Sequence, residues 1–221
     1  MPHEGSSEEL DRVLQAAQAA GYFGPGPLAL QRRHAAGFAR VARQAAQDAP
    51  GGVRTSILDL GSGGGLPGLV VALEWPEALL TLLDANRRRT EFLSASVAEL
   101  GLSGRVRVVM ARAEEAGRDP GLRGAFSGVM ARSFGAPAVL AECAAPFLAV
   151  GGWLIVSEPP GDPLAMVPDV DRWPVRPLGE LGLEAGDPVA AEFRYQVLHQ
   201  VALCPERFPR RNGVPSKRPL F

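Results

Sequence analysis

The sequence predicts an α/β fold: a central, mostly parallel seven-stranded sheet covered by helices and preceded by a short N-terminal helical extension. Three observations lead there. From Thr55 to Ser157, short apolar runs of strand length alternate with longer stretches of helical periodicity. Such alternation is the pattern of parallel strands joined by crossover helices on both faces of a sheet. Glycine or proline punctuates most junctions, and 221 residues at 46% hydrophobic content suit one such domain with a small appendage.

Taken in order, residues 1–7 are expected to form an unstructured leader. Ser6 and Glu9 have capping-box spacing and open a helix over about Glu8–Ala20, which Gly21 ends. Gly24-Pro25-Gly26-Pro27 is a turn. A second helix, Leu28–Gln47, carries Leu30, His34, Phe38, Val41 and Ala45 on one face. Pro50-Gly51-Gly52 then separates this extension (1–52) from the main domain (53–204). Strands are expected at Ser56–Leu60, Leu79–Leu83, Arg105–Val109, Ser127–Ala131 and Trp153–Ser157. Helices are expected at Leu66–Glu74, with Pro67 in the first turn, at Arg87–Leu100 and at Ala136–Leu148. Residues 159–190 are rich in proline and acid and leave room for one strand at most, whereas Phe193–Leu203 alternates as a strand. The basic C-terminal tail (205–221) contains four prolines and is expected to be extended.

A formal net charge of −1 provides no global field toward nucleic acid or membrane, so any basic surface must be local. Lys217 is the single lysine among 23 basic residues, and with abundant Ala, Gly and Pro this reads as the composition of a GC-rich genome. A lone arginine is therefore weak evidence of function. Cys143 and Cys204 have neither metal-site nor disulfide-framework spacing and are expected in the core, with no metal bound. The polar, acidic start of the chain is not a secretory signal, and the longest apolar run, near Leu69–Leu73, is too short to span a bilayer. The expectation is a cytoplasmic monomer that associates with no membrane.

The chemistry gathers at Asp59-Leu60-Gly61-Ser62-Gly63-Gly64-Gly65. A strand running through glycines into a helix brings backbone close to a ligand. Two registers compete. Gly63, Gly65 and Gly68 satisfy the G-x-G-x-x-G of dinucleotide folds. Gly61, Gly63 and Gly65, led by Asp59, satisfy the acidic-x-G-x-G-x-G of proteins that bind S-adenosylmethionine. The second fits better, because Gly61 directly follows the strand, and because Asp59 would repel a pyrophosphate but suits ammonium and sulfonium charges. A glycine-rich turn with no ligand is the bland alternative. Asp84, at the end of the second strand, can accept hydrogen bonds from both ribose hydroxyls in either class of ligand; otherwise it is a solvated strand-end acid. Ala113-Glu114, after the third strand, can present backbone groups and a carboxylate to an adenine edge, although Ala-Glu is also common on helices.

The run Leu58 to Gly68, ending in Leu66-Pro67-Gly68, resembles the first motif of the RsmG (GidB) family, which methylates guanine N7 in 16S ribosomal RNA. Leu82-Leu83-Asp84, Arg88-Arg89 with Phe92-Leu93, Arg112-Ala113-Glu114-Glu115 and Ala131-Arg132-Ser133-Phe134 follow in family order, and Pro209-Arg210-Arg211, Gly213-Val214-Pro215 and Arg218-Pro219-Leu220 look like family tails. Arg33-His34 resembles a family Arg-His pair. The resemblance implies a class I S-adenosylmethionine-dependent methyltransferase fold, with S-adenosyl-L-methionine held at Gly61, Leu66, Ala113, Glu114 and Arg132. Two departures stand out. The family's N-terminal Trp-Asn and Asn-Leu-Thr signature is missing, and Ser157-Glu158-Pro159-Pro160 replaces a Lys-Gly, which should set an anion beside the substrate mouth.

Guanine N7 carries a free lone pair at neutral pH, so its methylation needs positioning rather than a general base. Strand four ends in Ala131-Arg132-Ser133-Phe134, not in the Asn/Asp-Pro-Pro-aromatic motif that grips an exocyclic amine. No catalytic base is therefore expected, and the positioning candidates are Arg132 and Phe134. Phe134 can stack on a base or simply pack into the core; Arg132 can bind a phosphate or the cofactor carboxylate, or be a surface residue. His3, His34 and His199 lack partners at catalytic spacing. Contacts to 16S rRNA or the small ribosomal subunit are expected from Arg87, Arg88 and Arg89 and from the tail, through Arg207, Arg210, Arg211, Lys217 and Arg218, although such runs are usually solvated faces. The alternatives are a related methyltransferase acting on another RNA or a small molecule, and an idle cofactor-binding module associated with the ribosome.

Overall fold

The computed structural model describes residues 4–47, 55–159, 172–190 and 192–221. The Pro50-Gly51-Gly52 boundary lies outside the described residues. The chain opens with helices α1 (Glu4–Ala19) and α2 (Leu28–Gln47), then alternates β1 (Ser56–Leu60), α3 (Gly68–Glu74), β2 (Leu79–Asp84), α4 (Arg87–Glu99), β3 (Val106–Met110), α5 (Ala113–Ala116), β4 (Phe126–Ala131), α6 (Pro137–Ala144) and β5 (Leu148–Ser157). It finishes with α7 (Val175–Glu180), β6 (Leu183–Ala185), β7 (Val189–Ala190), β8 (Arg194–Gln200) and α8 (Val214–Lys217).

The sheet order is β3-β2-β1-β4-β5-β8-β6. The pairs among β1 to β5 are parallel, and β8 lies antiparallel to β5. Among the described residues, eight strands occupy seven lanes: β6 pairs with Leu198–Gln200 of β8 and β7 with Arg194–Tyr195, on the edge that β5 leaves open. The order in which strands are added reverses between the parallel neighbours β1 and β4, so a crevice opens at the carboxyl ends of the central strands. That is where open α/β sheets place their ligands.

Each face of the sheet carries its own apolar core, because successive strand residues point to opposite faces. One core joins Leu14, Phe38, Val41, Leu69 and Leu93 from α1 to α4 with Ile57, Leu80 and Trp153. The other joins Leu140 and Phe147 with Leu58, Leu83, Leu154, Leu178 and Phe208. The N-terminal helices thus share a core with the sheet. Gly128 of β4 faces Trp153 of β5 so closely that a Cβ would lie 2.2 Å from the indole.

Several boundaries differ from the sequence reading. α1 starts at Glu4, so residues 4–7 are helical and Ser6 lies inside the first turn instead of capping it. Leu30 is 40% exposed and falls off the buried face of α2. Pro67 precedes α3 rather than sitting within it. α6 ends at Ala144 in a single turn of 3-10 helix (Ala145–Phe147), because Pro146 has no amide hydrogen with which to continue it. β5 then begins five residues before Trp153, running through an irregularity at Gly151-Gly152 that the glycines disguise as a loop. The tail is not an extended arm. Cys204 and Phe208 are buried, Arg123 donates to the carbonyls of Cys204, Pro205 and Phe208, and α8 docks on α6.

Candidate active site

The glycine loop begins where β1 ends. Gly61 and Ser62 both donate to the carbonyl of Leu83 in β2, and Gly65 donates to that of Ser62, which folds the loop over the sheet edge. Gly61, Gly63 and Gly65 have φ of 75°, 56° and 95°, a region that only glycine occupies at no cost. All three glycines of the Gly61-x-Gly63-x-Gly65 register are therefore required by the backbone. Gly68 acts through packing instead. A Cβ there would lie 2.4 Å from both Asp59 Oδ2 and Leu82 Cδ2, so the bare glycine lets α3 press onto the sheet.

Two adjoining clefts flank Gly61 and share Gly61, Arg89 and Ser133. The larger, about 290 Å³, is bordered by Asp84, Ala113, Glu114, Phe134 and Ser216. The smaller, about 170 Å³, is bordered by Tyr22, Phe23, Gly63, Leu66 and Arg132. Asp84 is 5% exposed. Its Oδ2 accepts from Gly63 N (2.9 Å) and its Oδ1 from Asn86 N (2.8 Å), with Arg89 Nη1 at 3.7 Å. A carboxylate offers about four lone-pair sites, so it retains capacity for two further donors.

Three candidates from the glycine motif sit differently than expected. Asp59 borders neither cleft: it is buried beneath the loop, and its Oδ2 accepts from Gly68 N (3.0 Å). Alternation along β1 directs it with Ile57 toward α3, so it fixes the loop from below instead of meeting a ligand cation. Gly63 borders the smaller cleft, but its N–H is already given to Asp84. Gly65 lies behind both clefts, where a Cβ would strike Leu69. Burial pushes the Asp59 carboxyl up to about 7. Between its unfolded pKa near 3.8 and about 7 the folded protein binds a proton that the unfolded chain has lost, so stability should fall as pH rises through that window and level off above it. Asp59→Asn, with an amide oxygen left for Gly68, should flatten this profile; urea denaturation at pH 5 and pH 8 measures it.

Ala113-Glu114 opens α5, whose first N–H groups have no partner within the helix. Glu114 Oε1 accepts from Gly213 N of the tail (2.9 Å). At the end of β4, Arg132 Nη2 donates to Gln31 Oε1 of α2, while Nη1 is buried with no partner. Burial lowers the Arg132 pKa, and Tyr195 and Asp59 oppose that shift. Ser133 has φ 54°, which swings Phe134 back against Gly61: a Cβ on Gly61 would lie 2.7 Å from its ring. Phe134 is half-buried, both packing on the second core and bordering the larger cleft.

The basic candidates divide. Arg87 and Arg88 are exposed on the first turn of α4, and Arg211, Lys217 and Arg218 are exposed on the tail. Arg89 is directed at Asp84. Arg207 lies 3.9 Å from Glu180. Arg210 is committed elsewhere, in a bidentate pair with the fully buried Glu142. Glu158, the anion expected beside the substrate mouth, is already engaged and borders neither cleft: Trp173 Nε1 donates to it (2.9 Å), and Arg172 Nε lies 2.5 Å away. His34 packs among Phe38, Phe193 and Tyr195, and burial, then Arg132, lowers its pKa to about 4, leaving it neutral at pH 7. Burial raises the Cys143 thiol to about 12. The linker Tyr22-Phe23-Gly24 carries no recognisable motif, yet it roofs the smaller cleft. Its aromatic pair followed by glycine, ahead of a proline-glycine turn, is the only local signal. Among the described residues no group of His, Cys, Asp and Glu could hold a metal, and no helix is long and apolar enough to cross a membrane.

A glycine loop after β1, an acid closing β2, a cleft spanning the ends of β1 to β4 and an antiparallel β8 beside β5 match the class I methyltransferase fold. Solved structures support that fold. A putative O-methyltransferase from Klebsiella pneumoniae matches with TM-score 0.59 at 19% identity over 88% of this chain and 90% of that one. Fibrillarin from Aeropyrum pernix, solved with natively bound S-adenosyl-L-methionine, matches with TM-score 0.51 at 16% identity over 66% of each chain. The profile of the family described as "GidB: rRNA small subunit methyltransferase G" matches residues 29–157, and the chain belongs to that family. Two relatives named ribosomal RNA small subunit methyltransferase G are similar to it. That from Deinococcus deserti is 37% identical over 75% of this chain and 68% of its own, and that from Parasynechococcus marenigrum is 40% identical over 74% and 66%. As a member of the family, the protein is an S-adenosylmethionine-dependent rRNA methyltransferase, which favours this reading over the other-substrate and idle-module alternatives.

Proposed function

We propose that the protein methylates N7 of a guanine in 16S ribosomal RNA by positioning alone, with no general base. The observation that carries this is the exit of β4, where Arg132 borders the smaller cleft and Phe134 the larger, with Arg132 Nη1 buried and unpartnered. S-adenosylmethionine, when bound, supplies a sulfonium methyl group open to in-line displacement. The residues suit it: Asp84 would take the ribose hydroxyls, the amides of Ala113 and Glu114 would meet the adenine edge, Gly61 would let the chain pass close, Leu66 would support the loop, and Arg132, which borders the smaller cleft, would pair with the carboxylate. Phe134 stacks beside the incoming base. Holding nucleophile and methyl carbon about 3 Å apart in a water-poor cleft can supply ~7–11 kcal/mol.

The RNA is held at Arg87, Arg88, Arg211, Lys217 and Arg218, which are exposed on the first turn of α4 and on the tail. Turnover on assembled small subunits and on naked RNA decides which is the better substrate; a ribosomal substrate places the enzyme in the cytoplasm, and a monomer is the proposed state. Nucleoside mass spectrometry of 16S rRNA from a deletion strain should lack one N7-methylguanosine, restored by the wild-type chain; an unchanged nucleoside profile contradicts the proposal. Binding should weaken steeply with salt, and Arg87→Glu with Arg88→Glu should reduce the log–log slope by roughly 1–2. A slope the double variant leaves unaltered removes α4 from the RNA surface.

A further inference from the structure

The tail carries more than basic charge, because it forms part of the wall of the larger cleft. Ser216 of α8 borders the same cavity as Asp84, Ala113 and Glu114. It is brought there by a clasp of two acids. Glu142 of α6 is fully buried, and both its oxygens are used by Arg210: Oε1 accepts from the backbone N and from Nε (2.8 Å each), and Oε2 from Nη2 (2.6 Å). Arg210 Nη2 also donates to the carbonyl of Arg218, closing the segment into a loop. Glu114 Oε1 then accepts from Gly213 N (2.9 Å), and Asn212 Nδ2 donates to Glu115. A buried carboxylate is costly unless paired and hydrogen-bonded, so two acids devoted to one short segment fix its place against the cleft.

We infer that the C-terminal segment is part of the cofactor site: Ser216, held in place by the Glu142–Arg210 and Glu114–Gly213 clasp, directly contacts the bound nucleoside. This rests on the reading of the larger cleft as the site of the cofactor's adenosine. The Ser216 hydroxyl can both donate and accept, which suits a ribose hydroxyl or an adenine edge. It lies on the tail, far in sequence from the strand ends that supply the other expected contacts in this cleft. Glu114 serves both sides, one carboxylate oxygen on the tail and its backbone toward the ligand. Occupancy of the cleft therefore stabilises the tail, and by reciprocity an ordered tail tightens the ligand. Arg211, Lys217 and Arg218 lie on the same segment, so filling the cofactor site also fixes these cations at the RNA-facing rim.

S-adenosylhomocysteine is the probe, used with the full chain in calorimetry and in hydrogen exchange. Ser216→Trp fills the cleft without touching the clasp, and it should weaken S-adenosylhomocysteine by about tenfold or more, a change of about 1.4 kcal/mol or more, while the melting temperature of the free protein stays at the wild-type value. In the wild-type chain, the ligand should slow exchange of the Gly213, Lys217 and Arg218 amides, which are bonded to Glu114 and within the α8 turn. Equal affinity of wild type and Ser216→Trp, or exchange at these amides unaffected by ligand, overturns the inference while leaving the cofactor assignment standing. A wild-type chain that binds no S-adenosylhomocysteine overturns the assignment and the inference together.

Discussion

Asp84→Ala is expected to weaken S-adenosylhomocysteine binding by about 100-fold or more. Hydrogen bonds to a charged acceptor contribute about 1.5–3 kcal/mol each, and loss of both ribose hydroxyl contacts removes at least ~3 kcal/mol, where 1.4 kcal/mol is tenfold. The same substitution leaves Gly63 N and Asn86 N without their acceptor, so the loop that shapes the cleft loosens as well. Helix α4 remains capped, because Asn86 Oδ1 accepts from Arg88 N and Arg89 N independently of Asp84. The local effect is therefore separable from unfolding. Calorimetry gives the affinity and thermal denaturation gives the stability. Asp84→Asn, which keeps an oxygen acceptor but not the charge, should fall between wild type and alanine. Wild-type affinity in the alanine variant would remove Asp84 from the site.

Arg210→Ala is expected to destabilise the protein by about 3–5 kcal/mol, the range for stranding a buried charge. Glu142 has no exposed surface and would lose the guanidinium that pairs with both its oxygens. The converse change, Glu142→Ala, should cost less, because the Arg210 side chain is 28% exposed and can turn to water. This asymmetry identifies a structural pair. If Arg210 were instead a free RNA contact, its removal would leave the denaturation midpoint unchanged and lower only the salt slope of RNA binding. Urea unfolding of the two variants, compared at one pH, decides between these outcomes.

Most of the alternation between strands and helices is legible in the sequence because it follows local rules. A strand buried on both faces reads as an unbroken apolar run, and Asn86 and the Gly101 turn mark the two ends of α4. Sequence and structure part where a local signal has two meanings. Gly151-Gly152 looks like a loop but lies within β5, in an irregular stretch between Leu148 and Trp153, whose pairing with β4 the sequence cannot show. The prolines of the tail suggest an extended arm, yet Arg123 and Glu142, 81 and 68 residues away from their partners, bind that segment to the core. Leu30 obeys helical periodicity, but the turn before α2 leaves its end of the helix exposed.

For the site, local patterning along the chain already singles out the residues that end the strands. Gly61, Asp84, Ala113, Glu114, Arg132 and Phe134 each follow or close a parallel strand, and in a doubly wound sheet those ends must converge on one crevice. Where their side chains turn, and which of them are already occupied, depends on the folded packing. It placed Asp59 under the loop, gave Glu142 to Arg210 and Glu158 to Trp173, and brought Tyr22, Phe23 and Ser216 to the clefts from opposite ends of the chain. The physical reason is range. Strand order and turn chemistry are set within a few residues, whereas the pairing of a buried charge depends on whichever distant group the finished packing brings within hydrogen-bond reach.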